Sequence, residues 1–152
     1  MDAEDDVNHL IVRLAHAHRG VAAELLNKLN LYPGQELLLM RLWETDGQSQ
    51  TDLANALNLD RSTVTRTVQR LEQQRLISRK TSPTDGRATI VSLTREGKEL
   101  RGSIEEIWDR LREITIAGLS ERTQSDAMRL LRRMENNLRE SLGTETTSPQ
   151  SR

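Results

Sequence analysis

The sequence predicts a mostly α-helical fold carrying one small β-hairpin. Three observations lead there. Apolar residues recur at steps of three and four through most of the 152 residues. One stretch instead switches to two short β-prone runs separated by Pro, Asp and Gly. Basic side chains gather around that switch. The whole chain carries a net charge of −1, yet residues 60–87 hold seven basic residues (Arg61, Arg66, Arg70, Arg75, Arg79, Lys80, Arg87) against three acidic ones (Asp60, Glu72, Asp85). That segment is +4 and the remainder −5. A local excess of this kind is what a phosphate-facing surface needs.

The elements follow in order. Val7, Leu10, Ile11, Leu14, Val21, Leu25 and Leu26 place a long amphipathic helix between Val7 and Leu29. Tyr32-Pro33-Gly34 ends it, and Pro33 is expected in the first turn of a second helix, where a missing N–H costs nothing. This helix carries Leu37, Leu38, Met40, Leu42 and Trp43 and stops near Thr45-Asp46-Gly47. Ser49, with Asp52 three residues on, gives a capping-box-like start to a short third helix whose buried side is Leu53, Ala54, Ala56 and Leu57. Asn58-Leu59-Asp60 is a turn, and Asp60 can cap a fourth helix. In that helix Val64, Val68 and Leu71 form a core face, opposite Arg61, Ser62, Thr63, Thr65, Arg66, Gln69 and Arg70.

After Arg75 the period changes. Residues 76–80 and 88–93 read as strands of a two-stranded hairpin with a basic tip. Leu100, Ile104, Ile107, Leu111 and Ile114 then give one helix from Arg95 to about Ala117 the spacing of a helix–helix seam. Gly118-Leu119-Ser120 breaks it, and Ser120 can cap a last helix seamed by Ala127, Leu131, Met134, Leu138 and Leu142. Residues 143–152 are polar and aperiodic, the composition of a disordered tail. A short helix, a three-residue turn, a polar-faced helix and a hairpin spell a winged helix-turn-helix, so the hairpin is its wing.

Composition removes several functional classes. No apolar run approaches the roughly 20 residues that span a membrane. The acidic start, MDAEDD, lacks the features of a secretory signal, so a cytoplasmic protein is expected. With no cysteine, there is no disulfide scaffold, thiolate metal site or sensing by cysteine oxidation. All three histidines lie on the first helix; His16 and His18 point about 200° apart, and nothing completes a site for His9 and His16. No metal or cofactor is therefore expected. Glu105-Glu106, beside Arg101 and Arg110, reads as solvated charge, and no nucleophile–base pair or phosphate loop marks an enzyme.

An α-helix fits the major groove of double-stranded DNA, where Ser, Thr, Gln and Arg reach base edges or phosphates. Ser62, Thr63, Thr65 and Arg66 are the candidate base readers, Arg61 shares their face, and Gln69 and Arg70 are placed to touch backbone. At the hairpin tip Arg87 can enter the minor groove, with Asp85 holding its guanidinium by a charge-assisted pair.

The run Asp85-Gly86-Arg87-Ala88-Thr89-Ile90-Val91-Ser92-Leu93-Thr94, followed by Glu96-Gly97, resembles the D-x-R-x-x-x-V-x-L-T wing signature of the MarR family of bacterial transcriptional regulators. Leu53-Ala54, Arg61 to Arg66 and Arg70-Leu71-Glu72 match that family's helix-turn-helix pattern, and Gly118-Leu119-Ser120 resembles its entry to the last helix. The resemblance covers about residues 7–142. It implies a homodimer, with a dimerisation helix over 1–30, a winged DNA-binding domain over 31–94 and dimerisation helices over 95–142. Its two recognition helices would lie roughly 34 Å apart on a palindrome. It also implies a repressor released by a small ligand, an aromatic acid or phenol, bound between the dimer helices and the winged domain. Arg13, His16, Tyr32 and Trp43 are the candidate ligand contacts, although aromatic residues make up only 2% of the chain and leave such a pocket few walls. The alternative is a constitutive DNA-binding or architectural protein with no effector.

Overall fold

In a computed structural model, residues 6–144 are described. They form α1 (Val7–Asn27), α2 (Gln35–Glu44), β1 (Gln48–Ser49), α3 (Gln50–Leu57), α4 (Arg61–Gln73), β2 (Ile77–Thr81), β3 (Thr89–Leu93), α5 (Arg95–Glu99), α6 (Arg101–Thr115) and α7 (Glu121–Thr144). The chain divides into two compact units, residues 1–112 and 113–152.

The core of the first unit is almost wholly aliphatic. Leu38, Leu39 and Leu42 of α2, Leu53 of α3, and Val64, Val68 and Leu71 of α4 are fully buried, joined by Leu26, Ile77, Val91 and Ile104. Burying such a side chain contributes about 1.5–3 kcal/mol, which is how a chain without phenylalanine holds its fold. In α1 only the C-terminal part meets this core, through Ala22 and Leu26; residues 7–20 are exposed.

Local chemistry sets the boundaries. Asp6, Ser49, Asp60 and Thr94 cap α1, α3, α4 and α5 through side-chain oxygens. Pro33 lies outside α2 rather than in its first turn. The N-cap is Gly34, at φ +103°, a conformation that glycine alone adopts without strain. Since glycine has no capping oxygen, Gln35 Oε1 accepts from the Tyr32 N–H (2.8 Å) and Glu36 Oε2 from the Gly34 N–H (2.8 Å).

The sheet has three strands, not the two expected, in the order β1-β3-β2. β3 pairs antiparallel with β2, Ile77 opposite Leu93 and Thr81 opposite Thr89, and on its other edge Gln48 and Ser49 lie opposite Val91 and Ile90. Two residues carry no periodicity, so β1 is invisible as a pattern. Asp46 fixes its approach by accepting from the Leu93 N–H (2.8 Å).

The single helix expected from Arg95 is two. α5 closes at Leu100 and α6 starts at Arg101. Gly97 lies so close to the Leu76 carbonyl that a Cβ there would overlap the oxygen, and the Gly97 carbonyl accepts from Trp43 Nε1 (3.0 Å). This turn is therefore docked on the base of the wing and fixed in direction before α6 begins.

In the second unit, Gly118 at φ +79° breaks the chain and Ser120 Oγ accepts from the Thr123 N–H (3.2 Å) at the start of α7. Leu131, Met134, Leu138 and Leu142 are exposed along α7. The helix runs through Gly143 to Thr144, past the boundary expected for the tail. The rest of that tail, and the acidic start over residues 1–5, lie outside the described residues.

Candidate nucleic-acid interface

α4 turns its core face inward because Val64, Val68 and Leu71 recur on one side, and Asp60 holds its first turn. The Asp60 carboxylate accepts from Ser62 Oγ (2.5 Å), the Thr63 N–H (2.8 Å) and Thr63 Oγ1 (2.8 Å). These donors stabilise the charged form and hold its carboxyl well below the usual carboxylate range.

The same bonds alter the expected roles. Ser62 and Thr63 donate their hydroxyl protons to Asp60, and Thr65 donates to the Arg61 carbonyl (2.8 Å) while accepting from Gln50 Nε2 (3.2 Å). What these hydroxyls can offer a base edge is a lone pair, not a proton, and the two threonines add a methyl group. Thr63 and Thr65 are also half-buried, on opposite flanks of α4. At about 100° per residue, the centre of the outward face falls on Ser62, Arg66, Gln69 and Arg70. All four are exposed.

Charge is distributed unevenly among the seven basic residues. Arg79 closes on Glu72 through Nε (2.9 Å) and a terminal nitrogen (2.7 Å), a pair that lowers the Glu72 carboxyl below its ordinary range and neutralises both partners. Arg61, Arg66, Arg70 and Arg87 form no ion pair with a carboxylate among the described residues, so each is available to a phosphate or a guanine. Asp85 does not hold the Arg87 guanidinium as expected. Its carboxylate accepts from the Arg87 backbone N–H (3.0 Å), shaping the turn, and the Ser82 N–H to Ala88 carbonyl bond (2.8 Å) closes the loop.

Between wing and recognition helix lies a groove of about 440 Å³ that brings Arg61 and Thr65 together with Asp85 and Arg87. Gln50 and Thr89 share it. Neither was a candidate contact in the sequence; Gln50 is tied to the recognition helix by its amide, which donates to Thr65 Oγ1 (3.2 Å).

This architecture is matched by known proteins. The MarR family's sequence profile fits residues 31–89. A curated relative, the organic hydroperoxide resistance transcriptional regulator of Bacillus subtilis, is 38% identical over 106 residues, spanning 70% of this chain and 69% of that protein. The chain belongs to the MarR family. Like other MarR proteins, it is a DNA-binding transcriptional regulator. The crystal structure of MarR superposes with a TM-score of 0.80 at 26% identity, covering 95% of this chain and 98% of that one. PcaV of Streptomyces coelicolor, solved in complex with its natural ligand, gives 0.77 at 27% identity over 90% and 96%. Among the described residues of this MarR protein, no helix is long and apolar enough to cross a membrane.

The four candidate ligand contacts do not converge within the chain. Arg13 and His16 stand on the exposed part of α1. Tyr32 lies beneath the Arg70 guanidinium, 5.4 Å from ring centroid to carbon, and Trp43 lines a separate cleft of about 370 Å³ between α2 and α6. The largely apolar cavity of this MarR chain lies elsewhere, among α1, α2, α4 and α6. It measures about 410 Å³ and has Leu26, Leu37 and Trp108 as walls and His18, Arg19 and Glu36 as polar groups. Glu36 is almost fully buried, and that desolvation raises its carboxyl pKa despite the Gly34 N–H it accepts and the nearby charge of Arg19. The cavity residues come from four elements far apart in the chain, and no spacing rule connects them.

Proposed function

We propose that the protein is a homodimeric repressor that grips a palindromic operator and leaves it when a small phenolic or aromatic-acid ligand fills the α1–α2–α4–α6 cavity. The observation that carries the DNA reading is the face of α4, where Arg66 and Arg70 stand exposed and, among the described residues, unpaired with carboxylates. The wing sets Arg87 across a groove from Arg61. In this reading Ser62 and Arg66 face base edges with Thr63 and Thr65 at their flanks, Arg61, Gln69 and Arg70 meet the backbone, and Asp85 shapes the loop that carries Arg87 toward the minor groove.

Dimerisation is supported by the exposed Val7, Leu10 and Leu14 of α1 and by the exposed apolar row of α7. Apolar surface of this extent marks an interaction site, and a two-fold partner matches a palindrome. The ligand reading is supported by the cavity, whose apolar walls suit a ring. Glu36 can accept from a phenolic hydroxyl, and Arg19 can meet a carboxylate. The relative's name concerns organic hydroperoxides, but this sequence holds no cysteine, so a thiol-oxidation response is unavailable and reversible occupancy is favoured.

Selection of bound fragments from the source genome, read by sequencing, tests the reading. A palindrome with half-sites one helical turn apart is expected. Enrichment of no common sequence would contradict it and favour sequence-blind, architectural binding. Titrating salicylate-like compounds against the selected operator then tests the effector, and no release across a broad panel would leave a constitutive binder.

A further inference from the structure

Beside the recognition helix, away from the wing, lies a hollow of about 260 Å³ in which three arginines meet: Arg19 from α1 and Arg66 and Arg70 from α4. Tyr32, Pro33, Gln35, Thr63 and Thr67 complete its lining. No carboxylate lines it, and none of the three arginines forms an ion pair with one among the described residues. The acid whose charge acts on Arg19 is Glu36, which is buried and turned to the Gly34 N–H (2.8 Å). Three guanidiniums at one concavity repel one another unless an anion joins them, so an uncompensated cluster of this kind is poised for an oxyanion.

The hollow is also built rather than incidental. Gln74, which closes α4, donates to the Asn30 carbonyl (2.6 Å) and accepts from Gln35 Nε2 (3.2 Å), while Gln35 Oε1 accepts from the Tyr32 N–H (2.8 Å). This chain of amides ties the α1–α2 loop to the end of α4 and sets the Tyr32 ring beneath Arg70. Arg70 is thereby held toward the hollow before any ligand arrives.

We propose that Arg19 and Arg70, with Tyr32 as a platform, form an oxyanion seat that takes a backbone phosphate of DNA, and that Arg66, which also lines the hollow, adds its charge to the seat while its guanidinium reads a base edge. The first helix thus becomes part of the DNA-binding surface. The choice of DNA as the phosphate source rests on the function proposed above. Arg19 serves as a phosphate contact off the recognition helix, and its contribution is blind to sequence, so the test needs no operator.

Binding of the full-length protein to a random-sequence DNA duplex is measured across a salt series for the parent, Arg19→Gln and Arg19→Lys. One phosphate contact contributes about 0.9 to the slope of log K against log salt. Arg19→Gln should therefore flatten the slope by about one per seat and weaken binding roughly five- to tenfold near 0.1 M salt. Arg19→Lys, which keeps the charge, should retain the slope. An unchanged slope in a folded Arg19→Gln protein would overturn the proposal, as would equal losses in Gln and Lys variants, which would mark a packing role. Inorganic phosphate alone, titrated calorimetrically, separates the sources. Weak millimolar binding that Arg19→Gln abolishes is expected. Micromolar phosphate binding with an unchanged duplex slope would overturn DNA as the source and assign the seat to a free phosphate. If the parent protein fails to bind the duplex, the DNA reading fails, and the phosphate titration then reads the seat by itself.

Discussion

Asp60 does two jobs with one carboxylate: it starts the recognition helix and it ties down the hydroxyls of Ser62 and Thr63. Its folded pKa is depressed below the ordinary 3.8. Its contribution to stability is thus complete above that value and is lost as pH falls through it toward the folded value. Asp60→Asn keeps a cap but removes the charge. Its urea midpoint should lie below the parent's at pH 7, and the gap should narrow below pH 3.8; a gap independent of pH would show that the charge is immaterial. Arg87→Ala should weaken operator binding by about 1–3 kcal/mol at matched salt. Arg66→Ala should relax preference at particular base positions, whereas Arg70→Ala should weaken all sequences alike, and selection experiments on each variant would separate the two. The Asp60 cap and the exposed polar face of α4 were legible as sequence, because caps and helix faces are set by spacing. The internal spending of the Thr65 hydroxyl was not, since its partner Gln50 belongs to a different helix.

At the scale of elements, the joint between wing and α6 depends on Gly97. A methyl group there meets a backbone carbonyl, which cannot rotate away as a side chain could. Gly97→Ala should cost about 2–3 kcal/mol, read as a lower denaturation midpoint, and a change under 0.5 kcal/mol would show that α5 can shift off Leu76. Long periodic helices were readable because their apolar rows repeat: the row that predicted α4 is its buried face, and the row that predicted α7 runs along an observed helix, where it is exposed. Elements fixed by a few tertiary contacts were not. β1 is two residues held by Asp46 and the edge of β3, and the break at Leu100 interrupts an apolar row that runs on without change. The Arg19–Arg66–Arg70 hollow belongs to the same class: Arg19 lies 47 positions before Arg66, and only the folded α1–α2 loop brings them together.

For the whole molecule, the exposed row of α7 is the feature that a single chain leaves unexplained. Leu131→Glu combined with Leu138→Glu should yield monomers by sedimentation and weaken duplex binding on the order of a hundredfold, since two linked half-sites become two separate ones. A variant that still sediments as a dimer would place the interface elsewhere. Arg19, Pro33, Thr63 and Thr67 line both the apolar cavity and the arginine hollow. Two ligands that draw on the same four side chains cannot bind independently, and their coupling is reciprocal. Whatever factor an effector takes from the grip on phosphate, phosphate takes from the affinity for effector. A protein seated on its operator would then bind effector more weakly than the same protein free in solution, by the same factor that the effector takes from its hold on DNA.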